Sequence, residues 1–279
     1  MPTRRAFLRW KASTNAFCPV GFASELLSAL RCHWPYYLVE AAGPATFLIV
    51  SSAAAVVFHH PDSAVARTFG PSEMGQRVGL GLVIAVLIMA MAYSPWGKRS
   101  GAHFNPAVTL GFWQIGHIRT ADAVWYVAFQ FAGALAAGSA MFHLLRPWFG
   151  YPAIHYNTTR PIEGDYGWLW ALLAETGISA AFMLLLLRAL HSAQLKAWVG
   201  ALAGLMLAVF IVFEGPISGM SLNPARSTGT AAAAGLAPAL WLYFVGPLLA
   251  MWAAAAWFGR YRARKALAER PPVYPDATA

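Results

Sequence analysis

One eight-residue pattern is written twice in this chain. Ser100-Gly101-Ala102-His103-Phe104-Asn105-Pro106-Ala107 and Ser218-Gly219-Met220-Ser221-Leu222-Asn223-Pro224-Ala225 share Ser, Gly, Asn, Pro and Ala in register. Asn is a strong helix N-cap, and Pro is favoured at the first helical position because it has no N–H to leave unpaired. Each copy therefore starts a helix. The apolar runs that follow, 106–114 and 224–234, reach about 14 and 17 Å as helices, roughly half of a ~30 Å hydrocarbon layer. A single Asn-Pro-Ala is an ordinary helix start. Two in register, in a chain that is 58% hydrophobic and 11% charged where soluble domains are about 25% charged, predict a membrane domain with two half-helices.

Six longer apolar segments, at 36–58, 78–93, 123–145, 168–187, 197–213 and 237–258, read as spanning helices. The fold class is thus all-α: six transmembrane helices plus two re-entrant half-helices. The expected organisation is a basic N-terminal tail at 1–35, a membrane domain at 36–258 and a basic C-terminal tail at 259–279. Its two repeats cover about 36–145 and 168–258. Basic residues gather on one side: Arg4, Arg5, Arg9, Lys11 and Arg31, then Lys98, Arg99 and Arg119, Arg188 and Lys196, and Arg260, Arg262, Arg264, Lys265 and Arg270. Only Arg67, Arg77, Arg146 and Arg160 fall on the other. The positive-inside rule then places both termini in the cytoplasm. The net charge of +9 is largely topology, and no nucleic-acid partner is expected. Thr3-Arg4-Arg5 is similar to a twin-arginine signal, but Arg9, Trp10 and Lys11 interrupt the apolar run that such a signal needs, so the segment reads as a tail.

Each repeat has three full spans, an odd number, so the second enters the bilayer upside down relative to the first. The two half-helices then dip in from opposite sides and their N-termini meet near the midplane. Non-helical backbone at that depth is tolerated only where it is buried in protein or lines a water-filled cavity. Its carbonyls supply acceptors, and the amides of Asn105 and Asn223 supply donors. Each helix N-terminus carries about half a positive charge. Two meeting at one point disfavour a cation there and leave a neutral hydrogen-bonding molecule free to pass.

On these residues the chain resembles the major intrinsic protein family, the aquaporins and glycerol facilitators, and lies closer to the aquaporin branch. The resemblance covers about 36–258. It rests on both Asn-Pro-Ala boxes, Gln130 with Gly133-Ala134, Arg226-Ser227 after the second box, and Val245-Gly246-Pro247. It implies a channel domain, a homotetramer with one pore per subunit, and residence in the plasma or inner membrane. The implied selectivity filter is Arg226, Met220, Ile211 and a span-two residue, Leu82 or Leu80. This set departs from the Phe, His, Cys, Arg pattern of strict water channels and lacks the Trp/Phe wedge of glycerol facilitators. Ser227, Ala231 and the Tyr243-Phe244 pair favour the water branch. Glu40 and Glu175 resemble the family's buried carboxylates that support the re-entrant loops.

The expected function is a passive water channel that excludes protons and ions, with glycerol or another small uncharged solute as the alternative. No nucleophile–base pair, metal-ligand set or cofactor motif is visible, so no enzyme activity, metal or cofactor is expected. Of the eight His, only His103 lies in a box. Asn157-Thr158-Thr159 fits a glycosylation sequon on a loop between the repeats.

Overall fold

The computed structural model describes residues 21–69 and 72–268, which are helices and connecting turns. In chain order the helices are α1 (Phe22–His59), α2 (Ala64–Phe69), α3 (Glu73–Tyr93), α4 (Pro95–Ser100), α5 (Pro106–Gln114), α6 (Thr120–Leu144), α7 (Arg146–Phe149), α8 (Gly167–Leu190), α9 (Val199–Phe213), α10 (Gly215–Ser218), α11 (Pro224–Ala234) and α12 (Leu242–Ala268). Six of them, α1, α3, α6, α8, α9 (with the turn Lys196–Trp198 before it) and α12, are long and apolar enough to cross a membrane. The half-helices α5 and α11 carry the expected bounds, because Asn105 and Asn223 cap them with Pro at the first position.

Two of the expected boundaries need correction. α1 begins at Phe22, so 22–35 of the expected tail is helix continuous with the first span. Glu25, Arg31 and His33 interrupt the apolar pattern there, yet tertiary contacts continue the helix. The Trp125 indole donates to Leu26 O (3.0 Å), and Arg119 pairs with Glu25 at 3.4 Å. Both Tyr37 Oη (2.6 Å) and His33 Nδ1 (2.7 Å) meet Asp122 Oδ1. At about 57 Å, α1 overshoots any bilayer core. At the other end α12 starts only at Leu242, after a turn through Pro238, and runs past 258 to Ala268. Arg4, Arg5, Arg9, Lys11 and Arg270 lie outside the described residues.

The long helices pair as α1 with α6, α3 with α9 and α8 with α12. The half-helices exchange partners between repeats: α5 packs on α12, and α11 on α6. The start of α1 and the end of α12 lie near the loop between α5 and α6: Glu25 pairs with Arg119, Gly259 approaches Ile115 at the foot of α5, and Phe258 lies against His191 at the end of α8. The axes come close because glycine leaves no side chain between them. A Cβ on Gly133 of α6 would overlap the backbone of Ala41 in α1, and one on Gly204 of α9 would sit 2.5 Å from Ala85 O in α3. Gly177 in α8, by contrast, has open space. We predict that Gly133→Val lowers the thermal midpoint in detergent by several degrees, since overpacking costs about 1–3 kcal/mol. Gly177→Ala leaves it unchanged or raised, by the ~0.5–1 kcal/mol that alanine gains over glycine in a helix. Equal effects of the two would remove close approach as the cause.

Candidate functional site

The loops leading into the two boxes have the same backbone. Gly101 (φ 92°), Ala102 (51°) and Phe104 (51°) in the first match Gly219 (81°), Met220 (47°) and Leu222 (57°) in the second. Four of these are non-glycine residues in the left-handed region, which persists only when its surroundings enforce it. Two fully buried carboxylates do so. Glu40 on α1 accepts from His103 N (3.1 Å) and Phe104 N (2.7 Å) through its two oxygens. Glu175 on α8 accepts from Ser221 N (2.6 Å) and Leu222 N (2.9 Å) in the same way. Each carboxylate takes one more donor, Gln130 Nε2 (2.8 Å) at Glu40 and Ser218 Oγ (2.8 Å) at Glu175. A tyrosine from the third long helix of each repeat closes the loop base: Tyr126 Oη donates to Ser100 O (2.7 Å) and Tyr243 Oη to Ser218 O (2.6 Å).

The loops then join each other. Asn105 Nδ2 donates to Leu222 O at 2.8 Å, and Asn223 Nδ2 donates to Phe104 O at 2.9 Å. The same side chains cap their own helices, Asn105 Oδ1 accepting from Ala107 N (2.8 Å) and Asn223 Oδ1 from Ala225 N (3.0 Å) and Arg226 N (3.3 Å). Each amide has two N–H groups and uses one on the facing carbonyl, which keeps the second available. Pro106, Ala107, Pro224 and Ala225 are buried in the first turns.

A cavity of about 280 Å³ passes both asparagines. Met91, Lys98 and Val199 line it, as do His103 and Phe104 of the first loop and Met220 and Arg226 of the second box. Among the described residues no carboxylate lines it. Ile211 does not line the cavity but belongs with Met220 and Ile84 to one buried apolar cluster. Leu82 is misplaced by the sequence reading: it is 57% exposed on the outer side of α3. The inward side of α3 carries Leu80, packed on that cluster, with Ile84 and the cavity-lining Ile88. Two residues along a helix is a turn of about 200°, so Leu80 and Leu82 cannot share a face, and Leu80 is the inward one.

Sequence reasoning takes Tyr243 only as half of a branch marker and Asn157 only as the head of a sequon, and it does not name Tyr126. It reads neither Asn157 as a partner of Arg226 nor the two tyrosines as clasps on the loops. Their role was legible only as a repeat-related pair, spaced almost as the boxes are.

The fold and site together define an integral membrane protein with a passage lined by two converging half-helices. The chain belongs to the major intrinsic protein family, whose model matches residues 29–258. It is 36% identical over 212 residues to "Aquaporin NIP2-2" of Zea mays, covering 74% of this chain and 64% of that one. It is 35% identical over 182 residues to "Aquaporin NIP2-1" of Oryza sativa subsp. japonica, covering 64% and 56%. The chain thus spans under two thirds of the length of these curated relatives. Among solved structures, the aquaglyceroporin from Plasmodium falciparum superimposes with a TM-score of 0.60 at 20% identity, covering 81% of this chain and 95% of that one, and so shares the fold.

The loop geometry predicts that Glu175→Gln is destabilising. One oxygen is replaced by an NH₂ that faces a donor, Ser221 N or Leu222 N, leaving it unsatisfied at a cost of about 1–3 kcal/mol. The expected readout is a lower thermal midpoint. An unchanged midpoint would show that the backbone bends hold without the carboxylate.

Proposed function

We propose that this protein is a passive transmembrane channel for water, driven by an osmotic gradient and closed to protons and ions. The observation that carries this is the meeting of two asparagine-capped half-helices in a cavity that, among the described residues, no carboxylate lines. Their N-termini present about half a positive charge each, and Arg226 adds a full one to the same cavity. A cation entering meets these like-signed centres and the Lys98 ammonium, with no acid of the described residues on the wall. A water molecule meets the remaining amide hydrogens of Asn105 and Asn223 as donors. One that accepts from both has no lone pair left for a neighbouring water, which interrupts a proton relay along the file. The relatives' name, aquaporin, agrees with this reading.

Glycerol or a similar small uncharged solute is the second reading. It is favoured by the apolar side chains around Arg226, where Met220 lines the cavity and Ile211 and Leu80 pack in the adjoining cluster. A solute with a CH edge and an OH edge suits such a wall. We also place the protein in the plasma or inner membrane with both termini cytoplasmic, as a homotetramer. The outward apolar residues of α3 and α9, Leu82, Val86, Leu205 and Val209, then face lipid or the neighbouring subunit.

Reconstituted liposomes followed by stopped-flow light scattering test the assignment. Fast shrinkage in sucrose with slow re-swelling in glycerol supports water. Fast re-swelling in glycerol replaces water with the second reading, and neither response above empty liposomes sinks both. Arg226→Ala is expected to raise glycerol or proton flux several-fold, and unchanged selectivity would remove Arg226 from the filter. Because Met220 lines the passage, Met220→Cys is expected to create block by mercurials that the parent lacks, reversed by thiol. Persistent insensitivity of that variant would place residue 220 off the permeation path.

A further inference from the structure

The connection between the two repeats reaches back into the molecule. Within it His155, Tyr156 and Asn157 stand consecutively at φ 45°, 57° and 55°. Asn visits the left-handed region readily, but His and Tyr do so far less. Local packing holds them there. The Tyr156 ring lies edge-on to Phe149 (5.9 Å between centroids) and close to Phe142 (5.5 Å), and His155 Nδ1 is 2.8 Å from Thr158 Oγ1.

This bend turns Asn157 inward. Its Nδ2 donates to Ser51 Oγ (2.9 Å) and Ser52 Oγ (3.2 Å), both buried on α1. Both amide hydrogens are thereby directed at one helix, and the carbonyl end is fixed on the opposite side. Oδ1 there faces Nη2 of Arg226 at 3.4 Å. The orientation is dictated by chemistry, since a guanidinium only donates. Arg226 is buried, and its Nε and Nη1 have no hydrogen-bond partner among the described residues, so Asn157 is the side chain that anchors its head group. Two residues on, Thr159 Oγ1 meets Ser227 Oγ at 2.8 Å, tying the same connection to the residue after Arg226. The amide nitrogen that a glycan would use is engaged in these bonds, so the sequon at Asn157 has a structural use instead.

Building on the channel function proposed above, we infer that Asn157 is the positioning residue of the pore arginine: it fixes the Arg226 guanidinium from the inter-repeat connection and, being neutral, leaves the arginine's charge uncancelled. The two properties are separable. Removing the amide frees the guanidinium to swing, which widens the passage for solutes larger than water. Replacing the amide with a carboxylate of the same shape keeps an acceptor at Arg226. It also pairs the arginine's charge and points acceptors in place of donors at Ser51 and Ser52.

The test uses the full-length protein in liposomes, with water and glycerol permeability by light scattering and proton flux by a trapped pH-sensitive dye. Asn157→Ala is expected to change the glycerol-to-water permeability ratio at least threefold. Asn157→Asp, which is isosteric and so preserves packing, is expected to raise proton flux at least fivefold with water permeability within a factor of two. Ser51→Ala with Ser52→Ala, which frees the amide but keeps it, shifts the ratio in the direction of Asn157→Ala. Thr159→Val, which cuts the tie to Ser227 and leaves the Asn157–Arg226 contact in place, leaves both readouts at the parent's values. The inference is overturned if Asn157→Ala and Asn157→Asp, with circular dichroism like the parent's, keep both the solute ratio and the proton flux. It is overturned equally if Thr159→Val reproduces their effects, since loop anchoring alone would then account for them. A parent that moves neither water nor glycerol faster than empty liposomes overturns the channel function itself, and this inference with it. A parent that conducts normally beside silent Asn157 variants overturns only the inference.

Discussion

Two reciprocal hydrogen bonds, Asn105 to Leu222 O and Asn223 to Phe104 O, are the constraint on which the rest of this structure depends. They bring two breaks in helical structure together in the middle of an apolar protein, where water is not freely available to satisfy loose backbone groups. A break of this kind persists only if every exposed donor finds an acceptor. The buried carboxylates of Glu40 and Glu175 are placed to accept from the amides that the left-handed turns release. The tyrosines of α6 and α12 cover the carbonyls at the loop bases. The backbone groups of the two loops are thus largely paired, while the second amide hydrogens of the two asparagines and the Nε and Nη1 of Arg226, which have no partner among the described residues, are left for a passing molecule.

The network could not be held by either repeat alone. Each half-helix packs on the third long helix of the other repeat, so the two halves interlock instead of merely abutting. Small residues make the exchange feasible: Gly229 of α11 lies against Ala134 of α6, and a Cβ there would come within 2.5 Å of the Ala134 carbonyl oxygen. Packing and polar satisfaction are therefore coupled, since moving a half-helix outward by the width of a methyl group would also draw its asparagine away from the facing loop.

The proposed selectivity rests on the same economy of polar groups. The cavity offers positive potential from two helix ends, Arg226 and Lys98, a few fixed hydrogen-bonding atoms, and otherwise mostly apolar walls. The long connection between repeats takes part as well, because Asn157 meets Arg226 from outside the repeat that carries it. A segment that reads as a plain linker thereby touches a residue of the cavity wall.

Much of this was legible in the amino-acid sequence, because the bilayer imposes strong rules. Six apolar runs, two duplicated caps and the odd number of spans per repeat determined the class of fold, the half-helix bounds and the inverted relation of the halves. These follow from local preferences, N-capping by Asn, Pro at the first helical position and the length needed to cross hydrocarbon, which act on contiguous residues. What only the tertiary structure decided involves residues far apart in the chain. The stretch 22–35 is helix because Trp125, Asp122 and Arg119 grip it. Leu80 and not Leu82 faces the interior because of how α3 is rotated against α9. Asn157 reaches Arg226 because three left-handed residues aim it at α1 and Arg226. Capping and hydropathy are properties of a segment, whereas helix rotation and the meeting of two side chains 69 residues apart depend on the packing of the whole molecule.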